Sequence, residues 1–364
     1  GVAHFLEHKM FEQPNGTNSL DTLMALGIDA NAYTTNDHTA YLFECTNHFE
    51  EGLDELMDYV QHPYFTEENV EKEKGIIGQE INMYDDDPAW KLYMNAMDCM
   101  YEQNPIKIDI AGTIESISKI TPDVLYKCYN TFYHPSNMTM VICGDFQPET
   151  MIEEVKKRLL PKENQGAIKR IYPSKENKIH KAFKNEKMEV STPIFMMGYK
   201  DHENIEEDRV KKHIAIEILL NMVIGKSSKT YQELYTEGLL LAQPDMDYEF
   251  SDQYAHILIS GTSKNPQKVM EQMTQTVNKM LQNGIEEEHF ERMRRKVYGD
   301  YVVEYNSVGN IARMFLADSL KKINSSDYIE KFGEVTKEYT QHVLKNVFKK
   351  DNMAVSVIKC KPNK

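Results

Sequence analysis

The 364-residue chain is 41% apolar and 27% charged, which is ordinary globular usage and, at about 150 residues per domain, enough for two domains. Its net charge of −15, spread along the chain as a solubilising surface would be, argues against nucleic acid as a partner and is compatible with basic peptides. No apolar run approaches the roughly 18 residues of a membrane span, and five scattered cysteines with no Cys-x-x-Cys pair favour reduced thiols and a cytoplasmic location over a disulfide framework.

The first element is His4-Phe5-Leu6-Glu7-His8. Helix positions four apart share a face, so His4 and His8 can offer both imidazoles to one ion while Glu7 reaches the same side. Two such nitrogens, a third protein ligand and an open position for water make a catalytic zinc site, where the bound water's pKa falls to about 7 and a nearby glutamate can take its proton. Asn31-Ala32-Tyr33-Thr34-Thr35 reads as an edge strand, Thr39–Glu44 as a strand and Phe49–Gln61 as a helix. Thr66–Ile81 is predicted helical, with Thr66 as N-cap and acids in the first turn. Glu73 and Glu80, seven residues apart, project from one face of it, alongside Ile76 and Ile77, which are expected to seat the helix. One carboxylate could ligate and the other support. Asp85-Asp86-Asp87-Pro88 reads as an acidic helix end, since adjacent aspartates point apart and proline stops a helix. Asn137–Asp145 reads as a buried strand closing the first domain.

The polar, proline-punctuated stretches Pro161–Gly166 and Pro173–Lys178 mark a boundary, giving domains 1–165 and 186–364 with a linker over 166–185. The second half repeats the order of the first: strand Ala255–Ser260, a helix around Pro266–Leu281, then Glu286–Glu291. Setting Thr66 opposite Glu286 puts Met293 where Glu73 stands and Asp300 where Glu80 stands, so the second copy keeps the architecture without the metal set. Gly225-Lys226-Ser227-Ser228 lacks the first glycine of a phosphate loop and is not assigned to a nucleotide. The isolated His38, His48, His62 and His134 are given no role.

The inverted His-x-x-Glu-His order, followed by Glu73 and Glu80 with six residues between them, resembles the pitrilysin and insulinase zinc peptidases. The resemblance covers nearly the whole chain and is nearest to bacterial processing-type members. It implies an α+β fold of two homologous domains, each a mostly antiparallel or mixed sheet flanked by helices, with only the first holding a metal. It assigns one Zn2+ per chain to His4, His8 and Glu80, the general base to Glu7, and support of a ligand to Glu73. Asn31, Ala32, Tyr33 and Thr34 match the family segment that pairs with the substrate backbone by strand addition. Family members carry strands ahead of the motif helix, so the first domain is expected to be truncated at its start. The family's oxyanion-stabilising Arg and Tyr, seven apart, are not matched by Thr192 and Tyr199 of the strand Val190–Tyr199. A homologous second subunit, in a hetero- or homodimer, is therefore expected to complete a zinc endopeptidase for peptides or unfolded precursor segments; the rival reading is a non-catalytic or partner-dependent subunit.

Overall fold

The structure, a computed structural model, describes residues 1–163, 166–201 and 208–362, so Asn164 and Gln165 of the expected boundary lie outside the described residues. The architecture is α+β, in two compact units: Gly1–Tyr84 with Ile108–Ile171, and Asp85–Lys107 with Tyr172–Lys364.

In the first unit the motif helix Val2–Lys9 buries Phe5 and Leu6, with Met10 just beyond, against Tyr59, Val70, Ile77 and Leu125. Beside it, β1 (Asp29–Thr34) and β2 (Thr39–Glu44) form an antiparallel hairpin in which Thr34 faces Thr39, and β1 pairs with no other described strand. The Phe49–Gln61 helix forms as predicted. The second site helix, Glu67–Asp86, opens with a reciprocal cap: the Asn69 amide donates to the Thr66 hydroxyl at 3.2 Å and the Thr66 amide to the Asn69 side chain at 2.9 Å. Its buried stripe is Val70, Glu73, Ile77 and Ile81, whereas Ile76 is 46% exposed. The expectation for Ile76 fails because one helical step, about 100°, carries it off the face that Ile77 occupies.

Two sequence expectations in this unit are corrected. Residues 138–143 form no strand, and Met138 and Met140 are exposed, because no described backbone edge pairs with the run. Residues 85–107, expected within domain 1–165, belong to the second unit. The Pro88–Met100 helix, capped by Asp87, buries Leu92, Ala96, Met97 and Met100 against Met196, Leu258, Ala354 and Ile358 there.

That second unit is built on β3 (Phe183–Met188), β4 (Ile194–Lys200), β5 (Asp245–Phe250), β6 (Ala255–Thr262) and β7 (Met353–Cys360), ordered β3-β7-β4-β6-β5. Only β3–β7 is parallel. Alternation along β4 sends Met196 toward the Pro88–Met100 helix and Phe195, Met197 and Tyr199 into the opposite core. A Cβ on Gly198 would lie 3.0 Å from the Met100 sulfur, so glycine permits that close approach. The opposite core is centred on the Arg209–Ile224 helix, apolar on nearly every side. Leu219→Ala there is expected to cost about 2–5 kcal/mol, read as a lowered urea midpoint. The 166–185 stretch is not a free linker throughout. Glu176 accepts the amides of Glu102, Gln103 and Asn104 at 2.7–2.8 Å and pairs with buried Lys200 at 3.2 Å.

Candidate metal centre

The motif helix and the Glu67–Asp86 helix bring three donors together. His4 Nε2 lies 3.6 Å from Glu80 Oε2, and His8 Nε2 lies 3.5 Å from the same oxygen. The ligand atoms of His4, His8 and Glu80 all fall within 4.8 Å of one another. Glu80 Oε2 is buried and receives no hydrogen bond among the described residues. A buried carboxylate oxygen ordinarily finds a donor, and imidazole nitrogens at these separations are too far for a good one. Ligands about 2.0–2.1 Å from a tetrahedral zinc stand about 3.3–3.4 Å apart, so the spacing fits an ion between the groups. The residues present therefore suit zinc, and no fourth protein ligand closes the set among the described residues.

Glu73 is 8% exposed and not one of the three converging donors; its Oε1 accepts a hydrogen bond from His8 Nδ1 at 3.0 Å, which fixes the ring and leaves Nε2 facing Glu80. Among the described residues His4 has no such support, and its Nδ1 is buried without a hydrogen-bond partner. Glu7 lies on the same turn as His8, 7% exposed, and its Oε2 accepts the Thr34 hydroxyl at 2.5 Å. That hydroxyl also meets Thr39 at 3.0 Å, tying the hairpin's inner residues to the motif helix.

The electrostatics differ from group to group. Burial and the neighbouring His8 hold His4 below the ordinary histidine pKa, so it is neutral and able to ligate at neutral pH. Burial acts the same way on His8, but the Glu73 hydrogen bond and the nearby carboxylates outweigh it and raise the value. Burial raises Glu7, the Thr34 hydroxyl opposing it in part, which moves this carboxylate toward the range useful to a general base. Burial would raise Glu73 too, but His8 and Lys9 hold it low.

The structure places Asn31, Ala32, Tyr33 and Thr34 along β1, whose last residue touches Glu7. The Asn31 side chain turns back to its neighbour's amide, accepting from Ala32 N at 2.8 Å, and Tyr33 packs edge-on against His38. In the second unit Met293 is buried, and Asp300 pairs with Lys296 on an exposed helix face, so the counterparts of Glu73 and Glu80 form no metal set. Tyr199 is 2% exposed and packs at a tilt against Phe348 in the core. Ser228 of the Gly225–Ser228 turn caps the following helix by accepting the Tyr231 amide. Two contacts were not anticipated: Thr34 on Glu7, invisible because it joins residues 27 apart, and Lys9 on Glu73. The second had a signal, since a lysine at position 9 interrupts the apolar face of Phe5, Leu6 and Met10.

A His–His–Glu donor set with a second glutamate alongside, in a two-unit α+β chain, has the make-up of a candidate metal centre with three converging donors. The profile described as Insulinase (Peptidase family M16) matches residues 1–114, and that described as Peptidase M16 inactive domain matches residues 119–297. The chain is 38% identical over 361 residues to the uncharacterized zinc protease YmfH of Bacillus subtilis, covering 98% of this chain and 83% of that one. It also superposes on a putative M16-like peptidase from Alicyclobacillus acidocaldarius with a TM-score of 0.93 at 34% identity, over 99% of this chain and 86% of the other. The fold recurs in the periplasmic protease PqqL of Escherichia coli, with a TM-score of 0.77 at 19% identity, where 99% of this chain covers 43% of that one. The chain belongs to the insulinase family, peptidase family M16.

Proposed function

We propose that this chain is the zinc-binding half of an endopeptidase that cleaves peptides or unfolded precursor segments. The observation that carries the reading is the convergence of His4, His8 and the unsatisfied Glu80 oxygen beside a buried Glu7. Bound zinc would polarise the scissile carbonyl and acidify the attacking water. Glu7 takes the water's proton and passes it to the leaving amine, a task suited to a carboxylate whose pKa burial has raised. Glu73 keeps the His8 ring in one tautomer and orientation. The open edge of β1 from Asn31 to Thr34 holds the substrate backbone extended, which aligns a peptide without demanding a particular sequence.

Thr34 couples that strand to the base. Thr34→Val removes a hydrogen bond to a charged acceptor worth about 1.5–3 kcal/mol, so kcat/KM is expected to fall about 10- to 100-fold with zinc retained. An unchanged kcat/KM would remove Thr34 from the account.

Oxyanion donors are proposed to come from a homologous subunit. Tyr199 is locked in the core, and this chain spans 43% of a protease that shares its fold. The test is cleavage of a quenched peptide library by the protein alone and with a homologous partner, before and after chelation and zinc restoration. Zinc-dependent cleavage in either arm supports the peptidase reading; silence in both, with zinc bound, favours the non-catalytic reading.

A further inference from the structure

Lys9 follows the second histidine of the motif and is 1% exposed, among the most enclosed side chains in the first unit. A buried ammonium is costly unless paired, and a core position between Phe5, Leu6 and Met10 would ordinarily be apolar. Lys9 Nζ pairs with Glu12 and lies 3.7 Å from Glu73 Oε2, while the other oxygen of Glu73 holds His8 Nδ1. Glu73 is thus clamped at both ends, by a cation on one oxygen and an imidazole on the other. Glu12 pairs through its backbone with Asn18, so the same ammonium also reaches the loop that follows the motif helix.

We propose that Lys9 is a positioning residue for the metal centre: its buried ammonium holds the Glu73 carboxylate in the orientation that aims His8 Nε2 at the ion. This rests on the zinc reading above. A carboxylate as enclosed as Glu73, facing one neutral imidazole and no cation, gains by rotating toward solvent or another donor, and His8 then loses the bond that sets its ring. Lys9 is not one of the converging donors, and its link to them runs through Glu73.

The experiment is zinc affinity by competition with a chromogenic chelator, with the visible spectrum of the Co2+-loaded protein alongside, for the full chain and four variants. Wild type must bind zinc; if it does not, the zinc reading fails, not the Lys9 assignment. Lys9→Met, which keeps an unbranched chain of similar length in the pocket, is expected to weaken zinc about 10- to 100-fold, the range for residues that orient ligands, and to change the Co2+ bands. Lys9→Met combined with Glu73→Gln is expected to recover most of that loss, because the neutral amide still accepts from His8 Nδ1 and needs no cation. Glu73→Gln alone completes the cycle, and Glu12→Gln is expected to stay within about threefold of wild type. If Lys9→Met does not fold, recovery of folding and tight zinc binding in the double variant supports the proposal. Wild-type affinity in Lys9→Met overturns it, as does a double variant no better than Lys9→Met, or a Glu12→Gln loss equal to that of Lys9→Met.

Discussion

Glu7→Gln is expected to bind zinc as wild type does and to lose peptide hydrolysis by about 10²- to 10⁴-fold, the range for removing a positioned general base. The glutamine is isosteric and can still accept the Thr34 hydroxyl, so the hairpin and the motif helix keep their register. What disappears is the carboxylate that takes the proton. Because burial raises Glu7 within this site, the wild-type carboxylate is expected to lose activity as pH falls through its raised pKa, where it becomes protonated. The acid limb of kcat/KM checks this, and the glutamine variant should lack that limb. Zinc content equal to wild type together with the activity loss separates a chemical role from a structural one. Activity retained within a few-fold would sink the assignment.

The second large effect is expected for Glu80→Gln. Glu80 supplies the one carboxylate in the donor set, and its buried oxygen stands between the two imidazoles. An amide cannot neutralise the ion, and two imidazoles alone do not make the three-ligand set of a catalytic zinc site. Zinc affinity should therefore fall by more than residues that merely orient ligands cost, on the order of 10³-fold or beyond, with hydrolysis lost in parallel. The contrast with Glu73→Gln is informative, since Glu73 bonds His8 at 3.0 Å without joining the ligand cluster. Equal losses from the two substitutions would mean that ligand and support have been assigned to the wrong carboxylates.

The convergence of the candidate donors was legible because helix periodicity is local. His4 and His8 need one turn and Glu73 and Glu80 two, and the second of the two helices starts where its Thr66 cap places it and runs on to Asp86. Thr66 as cap and the extent of the strand Thr39–Glu44 follow from the same short-range rules. The failures are long-range. Residues 138–143 have the apolar run of a strand, but a strand exists only where another edge accepts it. The Pro88–Met100 helix carries an apolar face readable in sequence, yet nothing local says which unit that face will cover. Glu176 sits in a charged, turn-rich stretch and is fastened by three amides more than 70 residues away. Strand position and resemblance give Thr34 a place along the β1 edge, but its hydroxyl reaches Glu7 only through a contact between residues 27 apart.

The most direct test of the central claim is hydrolysis of a quenched extended peptide as metal-free protein is titrated with zinc, beside a homologous partner if the chain alone is silent. The account predicts activity rising in proportion to zinc and breaking at one equivalent per chain, with a flat line for Glu7→Gln. Activity that ignores zinc, a break at another stoichiometry, or Glu7→Gln rising with wild type would contradict it.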